Sequence, residues 1–151
     1  MAKVRRIAML SKDWNLLVIA AAEGKPLTPV QLQKSLFVFG EECPQATKHE
    51  YYQFVPYHYG PFDSKVYQDA ALLCAEGLVY IRPSVGGWRE YSATSEGLER
   101  AKELEGYLTP KHAEYLHAVV TWARSLTFDQ LIRAIYKKYP AYKVNSVFQP
   151  Q

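Results

Sequence analysis

Cysteine is scarce in this chain. Cys43 and Cys74 are the only two among 151 residues, too few for a disulfide framework, so a reducing cytoplasm is the expected setting. No apolar run reaches the roughly 20 residues of a membrane-spanning helix. The basic opening Met1-Ala2-Lys3-Val4-Arg5-Arg6 leads into an apolar run too short for a secretory signal. Metal-ligand spacing is missing as well. Cys43 and His49 lie six apart, His112 and His117 five apart, and neither Cys-x-x-Cys nor His-x-x-x-His occurs. Gly86-Gly87 reads as a turn, not a cradle for phosphate, and no serine or histidine stands in the context of a nucleophile and its base. The expectation is a non-enzymatic protein with no catalytic residue, cofactor or metal, and no attachment to a membrane.

Charge of one sign is not concentrated either. Eighteen basic residues face fifteen acidic ones, for a net charge of +3. That balance permits contact with nucleic acid without demanding it, since such binders usually carry a dense basic face. Lys3, Arg5 and Arg6 read as a solvated lead or as an arm touching an anionic partner. What is abundant is tyrosine, twelve residues, a side chain that serves cores, polar networks and interfaces alike. At 48% apolar and 22% charged, the composition is that of an ordinary globular protein, and 151 residues suit one domain.

The stretch from Tyr51 to Arg82 organises the rest. An aromatic extended segment, 52–56, turns at Gly60-Pro61 and launches a helix from Phe62 that ends at Gly77; a strand follows at 78–82. Gly60 admits backbone angles closed to other residues, while Pro61 fixes its own φ and keeps Gly60 out of the helical region. Before this stretch, Ser11 is a candidate cap for a first helix whose Trp14, Leu17, Val18 and Ala21 share one face. Thr28-Pro29-Val30-Gln31 is a capping box with proline in the first turn. The helix it opens runs to about Glu42, apolar on so many sides that it should be central and buried. Gln33 and Lys34 on that helix then need partners or an escape to solvent. After the strand, Gly86-Gly87 turns the chain into a second one at 88–93, a β-hairpin. Thr94, Thr109-Pro110 and Thr127 with Gln130 open three further helices. Leu98, Ala101 and Leu104 point inward on the first, Ala113, Leu116, Val120 and Ala123 share one face of the second, and Phe128, Leu131, Ile132, Ile135 and Tyr139 mark the apolar stripe of the third. Pro140 ends the last, and 141–151 is a tail.

The order helix, helix, strand, helix, hairpin gives an α+β fold, mostly α. It has a winged-helix-like first part at about 11–106, the hairpin as its wing, and a C-terminal helical pair at about 109–140, all in one domain. The pattern departs from a helix-turn-helix reader in one respect. Such readers join the second and third helices by about 3–4 residues, whereas about twenty separate Glu42 from Phe62 here.

The run Leu32-Gln33-Lys34, then Tyr57-His58-Tyr59-Gly60-Pro61-Phe62, then a helix closing on Glu76-Gly77-Leu78, resembles the bacterial YwgA-like proteins. It is similar, more distantly, to the Panacea, or SocA-like, antitoxin domains. Tyr139-Pro140-Ala141-Tyr142 also looks like a YwgA-like ending, so the resemblance spans about Trp14 to Ser146. It implies no catalytic residues. The Panacea relatives act by binding partner proteins, chiefly toxins, and one resembling member serves as a proteolytic adaptor.

Three functional readings follow from the residues. A regulatory protein that binds a partner protein, antitoxin-like in type, would use exposed aromatics such as Tyr80, Trp88, Tyr91, Tyr115 and Trp122, since aromatics and arginine dominate interface energetics; the C-terminal helices could equally form a homodimer. A DNA-binding transcription regulator would read with Ser64, Lys65 and Gln68 on the third helix and Arg82 and Arg89 on the wing. Against that, Asp63 and Asp69 on the same helix would repel phosphate, and the helix has no arginine. An enzyme or small-ligand site would form if Gln33, Lys34, Tyr57, His58, Tyr59 and Gly60 converge at the turn, where burial shifts a lysine's pKa. The bland version of that cluster is a knot in which Gln33 or Lys34 bonds to turn carbonyls.

Overall fold

Threonine sets where most of the helices begin. The side chains of Thr28, Thr94, Thr109 and Thr127 each accept the backbone N–H three residues on, from Gln31, Gly97, His112 and Gln130, caps worth about 1 kcal/mol each. Gln31 and Gln130 reach back to close full capping boxes. The computed structural model describes residues 8–149, so the basic residues Lys3, Arg5 and Arg6 lie outside the described part. Within it run α1 (Ser11–Ala20), α2 (Pro29–Glu42), β1 (Val55–Tyr57), β2 (Gly60–Phe62), α3 (Lys65–Ala75), β3 (Val79–Pro83), β4 (Arg89–Ala93), α4 (Ser95–Glu105), α5 (Pro110–Ser125) and α6 (Phe128–Lys138), closed by a 3-10 turn at Pro140–Lys143. The fold is α+β and mostly helical, with two small antiparallel hairpins among the described residues.

Two helix starts differ from expectation. Leu10, not Ser11, precedes the first turn of α1. A leucine side chain cannot accept a hydrogen bond, so the end is closed from inside the helix, by the Asp13 carboxylate accepting the Leu10 N–H at 2.9 Å. Ser11 is thereby freed to turn inward, where it is buried. Helix α3 begins at Lys65 rather than Phe62, because residues 60–62 are taken up by strand pairing. Val55, Pro56 and Tyr57 stand opposite Phe62, Pro61 and Gly60. Gly60 makes the reversal at φ +100°, a conformation that a side chain disfavours. The Asp63 Oδ1 accepts the Lys65 N–H at 2.9 Å and does the capping work expected of a serine or threonine.

Helix α1 is enclosed more completely than a one-faced amphipathic pattern implies. Every residue from Trp14 to Ala20 is buried, and the helix packs against α2, α3, α4, α5 and β4. Trp14 meets Phe39 of α2 at 5.2 Å between ring centroids. Helix α2 is likewise buried from Leu32 to Phe39. It spans two apolar clusters: one around Trp14, Leu36 and Phe39, the other around Phe37, Val38, Val119, Ile132 and Ile135. Helix α5 contributes Leu116 and Val120 to the first and Val119 and Ala123 to the second, so packing runs across the expected 106–109 join. Leu98 of α4 is 38% exposed, against the expectation that it points inward. Its neighbour Gly97 takes the inner position, because a Cβ there would lie 1.9 Å from the Leu78 carbonyl oxygen.

The hairpin β3–β4 gains a third, one-residue strand from the chain between α1 and α2. Leu27 exchanges both backbone hydrogen bonds with Tyr91, at 2.8 and 2.9 Å. The C-terminal tail is not loose. The Val147 N–H donates to the His58 carbonyl at 2.9 Å, Asn145 Nδ2 donates to the Pro56 carbonyl at 3.2 Å, and the Tyr136 hydroxyl meets Ser146 Oγ at 2.6 Å. Residues 144–149 form a strap over the β1–β2 hairpin. Among the described residues no helix is long and apolar enough to cross a membrane.

Candidate functional site

The capping box at Thr28 orients α2 so that consecutive residues Gln33 and Lys34 both face the β1–β2 hairpin. The Gln33 amide pairs with the backbone of Asp63 in both directions: its Nε2 donates to the Asp63 carbonyl at 2.8 Å and its Oε1 accepts the Asp63 N–H at 3.2 Å. That reciprocal pairing continues the strand's hydrogen bonding onto a side chain. The Lys34 Nζ donates to the Pro61 carbonyl at 2.9 Å, and the side chain is 3% exposed. Its stem lies against Gly60, whose other neighbours are Tyr136 and Ile135 of α6. No carboxylate is paired with Lys34 among the described residues. Burial without a counter-charge lowers its pKa to about 7, since desolvation disfavours the ammonium form.

The expected convergence is therefore met by the turn's backbone and not by its aromatic side chains. Tyr57, His58 and Tyr59 are all exposed. The Tyr57 ring stacks on His58 at 4.1 Å and on Phe62 at 5.0 Å, while Tyr59 turns the other way and meets the Phe128 ring of α6 edge-on at 5.2 Å. No phenol or imidazole shares a hydrogen bond with Lys34 among the described residues. Acid–base chemistry needs a donor and acceptor within reach of a bound substrate, and this amine reaches only a backbone carbonyl.

The residues expected to read nucleic acid are exposed. Ser64, Lys65, Gln68, Arg82 and Arg89 all face solvent, and the Arg82 guanidinium lies over the Tyr80 ring at 4.0 Å. Of the two aspartates only Asp63 remains at this surface, and the inward turn of Asp69 corrects the sequence reading for that residue. Both oxygens of Asp63 are engaged by the backbone N–H groups of Gln53 and Lys65, at 2.8 and 2.9 Å. Asp69 is 5% exposed and faces inward. The other exposed residues of α3 are Ala71, Leu72, Cys74 and Ala75.

Asp69 anchors a buried polar network that the sequence reading does not contain. Its Oδ2 accepts the Ser11 hydroxyl at 2.7 Å and the Tyr52 hydroxyl at 2.6 Å. Asn15 Nδ2 donates to the Tyr52 oxygen at 3.0 Å and to the Val66 carbonyl at 2.9 Å. A phenol has a single proton, so with that proton on Asp69 the Tyr52 oxygen is left to accept from Asn15. Burial, with Asp69 next, raises the Tyr52 pKa. Asn15 Oδ1 has no hydrogen-bond partner among the described residues. A signal for the inward turn of Asp69 does exist: Val66, Asp69, Ala70 and Leu73 recur at i, i+3, i+4 and i+7, the spacing of one helix face.

A second feature is a groove of about 520 Å³ lined by Thr28, Pro29, Val30, Gln31, Trp88, Leu126, Thr127, Phe128 and Leu131. Trp88 at the end of the β3–β4 hairpin and Phe128 at the start of α6 are 48% and 44% exposed, so large rings line it without filling it. Of the other aromatics named from sequence, Tyr80 and Trp122 are exposed and Tyr115 is half-buried. Tyr91 is buried, stacked on Tyr67 and held by its bonds to Leu27, which removes it from any contact surface. His117, whose spacing from His112 fits no metal site, meets Glu105 at 2.8 Å.

No protein-family model matches this chain, and no curated protein is detectably similar to it.

Proposed function

We propose that this protein is a non-enzymatic regulatory protein of winged-helix type that acts by binding a partner protein, in the manner of an antitoxin. Support for the winged-helix reading is the succession α1, α2, α3 and the β3–β4 hairpin, with Leu27 between α1 and α2 bonded to β4. The observation that carries the function is the groove between the hairpin tip and α6. Its walls are predominantly apolar, and it offers Trp88 and Phe128 with large exposed rings. Exposed aromatics around an open apolar groove are the arrangement that protein interfaces use for their anchors. Lys34 and Gln33 support the hairpin from beneath, as structural residues and not as an active site.

DNA binding is the second reading, favoured by the exposure of Lys65, Gln68, Arg82 and Arg89. It is the weaker because the outer face of α3 is completed by Ala71, Leu72, Cys74 and Ala75, which offer no strong hydrogen-bonding group to a base edge or a phosphate.

The test compares the wild-type chain with a Trp88→Ala, Phe128→Ala double variant in pull-downs and on duplex DNA. A protein retained by the wild type and at least tenfold depleted with the variant supports partner binding. Retention of random duplex DNA at low salt, lost steeply as salt rises and lost in Lys65→Glu with Arg89→Glu, overturns it in favour of the second reading.

A further inference from the structure

The β1–β2 hairpin is held from two sides. From beneath, α2 bonds it through Gln33 to Asp63 and through Lys34 to Pro61. From outside, the strap bonds it through Val147 to His58 and Asn145 to Pro56. Both the hairpin and the strap touch the candidate groove at one ring. Tyr59 of the hairpin packs edge-on against Phe128 at 5.2 Å, and Phe148 of the strap meets the same ring at 6.3 Å. Movement of hairpin or strap therefore changes the wall formed by Phe128.

We propose that the hairpin and strap form a proton-sensitive latch over α2, with Lys34 as its sensor and the shape of the Phe128 wall as its output. This deepens the partner-binding reading and rests on it for the output alone. The physical basis is the setting of Lys34: a buried amine with one neutral acceptor, its stem against Gly60, and no paired carboxylate among the described residues. A protonated amine there is stabilised by lifting the hairpin and admitting water; a neutral amine is content in place. Each of the two strands is three residues long, the kind of small unit that opens locally without global unfolding.

Among the described residues, the other titratable groups on the hairpin and the elements packed against it include Tyr57, His58 and Tyr59, Asp63 at its end, Tyr142 and Lys143 on the 3-10 turn, and Arg133 and Tyr136 on α6. His58 is exposed, its carbonyl and not its ring bonds the strap, and Asp63 is satisfied by backbone N–H groups. The Tyr136 hydroxyl is bonded to Ser146. Only Lys34 combines burial, a lone neutral acceptor and a pKa of about 7.

Opening takes up a proton wherever the open amine is charged and the closed one is neutral, between about 7 and the ordinary 10.5. The opening constant therefore rises about tenfold for each pH unit lowered toward 7 and levels off below it. The experiment is hydrogen exchange on the isolated full chain from pH 6 to 9, read at the Val147 amide and in 55–62 and corrected for intrinsic exchange. The expected result is a rise in opening of about fifty-fold from pH 9 to pH 7, abolished in Lys34→Met and unchanged in His58→Gln. A flat wild-type profile overturns the latch, as does a slope that survives Lys34→Met or vanishes in His58→Gln. Direct NMR titration of the Lys34 ammonium in the wild type gives the same decision if the methionine variant does not fold: a value near the ordinary 10.5 overturns it. No partner is present in these measurements, so the latch stands or fails independently of what the groove binds.

Discussion

Replacing Lys34 with methionine should stabilise the protein near neutrality and lose that advantage as pH rises. The gap between an ordinary lysine at 10.5 and this one at about 7 corresponds to roughly 5 kcal/mol held against the charged form. Between those values the unfolded chain carries a proton that the folded chain has released, so folding stability increases with pH across the window and is flat below about 7. From pH 7 to pH 9 the wild type should gain roughly 2.5 kcal/mol from this group alone. Methionine keeps an unbranched stem of similar length but leaves the Pro61 carbonyl without its donor, a loss of about 1–2 kcal/mol. The variant should thus be more stable by roughly 3 kcal/mol at pH 7, about equal near pH 9, and slightly weaker above that. Urea unfolding followed by tryptophan fluorescence at pH 7, 8 and 9 measures the difference directly. Using the difference between the two proteins removes every other titrating group from the comparison. A gap that does not change with pH, or a variant weaker at pH 7 than at pH 9, would refute the argument that desolvation of an unpaired amine sets the equilibrium.

The Asp69 network predicts an asymmetry between its members. Asp69→Ala strands the Ser11 and Tyr52 hydroxyls in the core and should cost roughly 3–5 kcal/mol, whereas Tyr52→Phe removes one charge-assisted bond to Asp69 and the acceptor of one Asn15 N–H, which keeps its bond to Val66, and should cost about 1.5–3 kcal/mol by the same urea titration; equal losses would mean that the carboxylate is not the hub. Gly97→Ala drives a methyl group toward the Leu78 carbonyl, where the added carbon would sit 1.9 Å from the oxygen, and should lower the thermal midpoint by several degrees as β3 and α4 are forced apart; an unchanged midpoint would show that the two elements can separate freely.

The elements that carry local signals are readable in the sequence. Thr28, Thr94, Thr109 and Thr127 announce four helix starts, and Gly86-Gly87 announces the turn between β3 and β4. Contact between Lys34 and the Gly60-Pro61 corner is legible too, because a charge on a buried helix must find a partner. The pairing of β1 with β2 is not. Its strands are three residues long and carry Pro56 and Pro61 opposite each other, so neither an alternating pattern nor ordinary strand composition marks them. The strap is hidden for a related reason: it holds the hairpin through backbone carbonyls far off in the chain, 89 residues away in the case of Asn145 and Pro56, and sequence spacing carries no trace of such bonds. Asp69 reads as a surface residue because a carboxylate is usually exposed, and its partners Ser11 and Tyr52 lie 58 and 17 residues distant.

The connector between α2 and α3 is an element in its own right. Here the chain between these helices builds a hairpin, fastens it to α2 through Gln33 and Lys34, and is covered by the strap. The amine is the least economical part of that arrangement. Stability alone does not account for it, since an apolar side chain of the same volume under Pro61 avoids the desolvation of an ammonium. A group whose charge changes the closing equilibrium does account for it. The same lysine that weakens the fold near neutrality makes the hairpin responsive, and the ring that the hairpin touches, Phe128, is the ring that lines the groove. If the groove binds a partner, its affinity should follow the Lys34 titration and not the charge of the exposed residues around it.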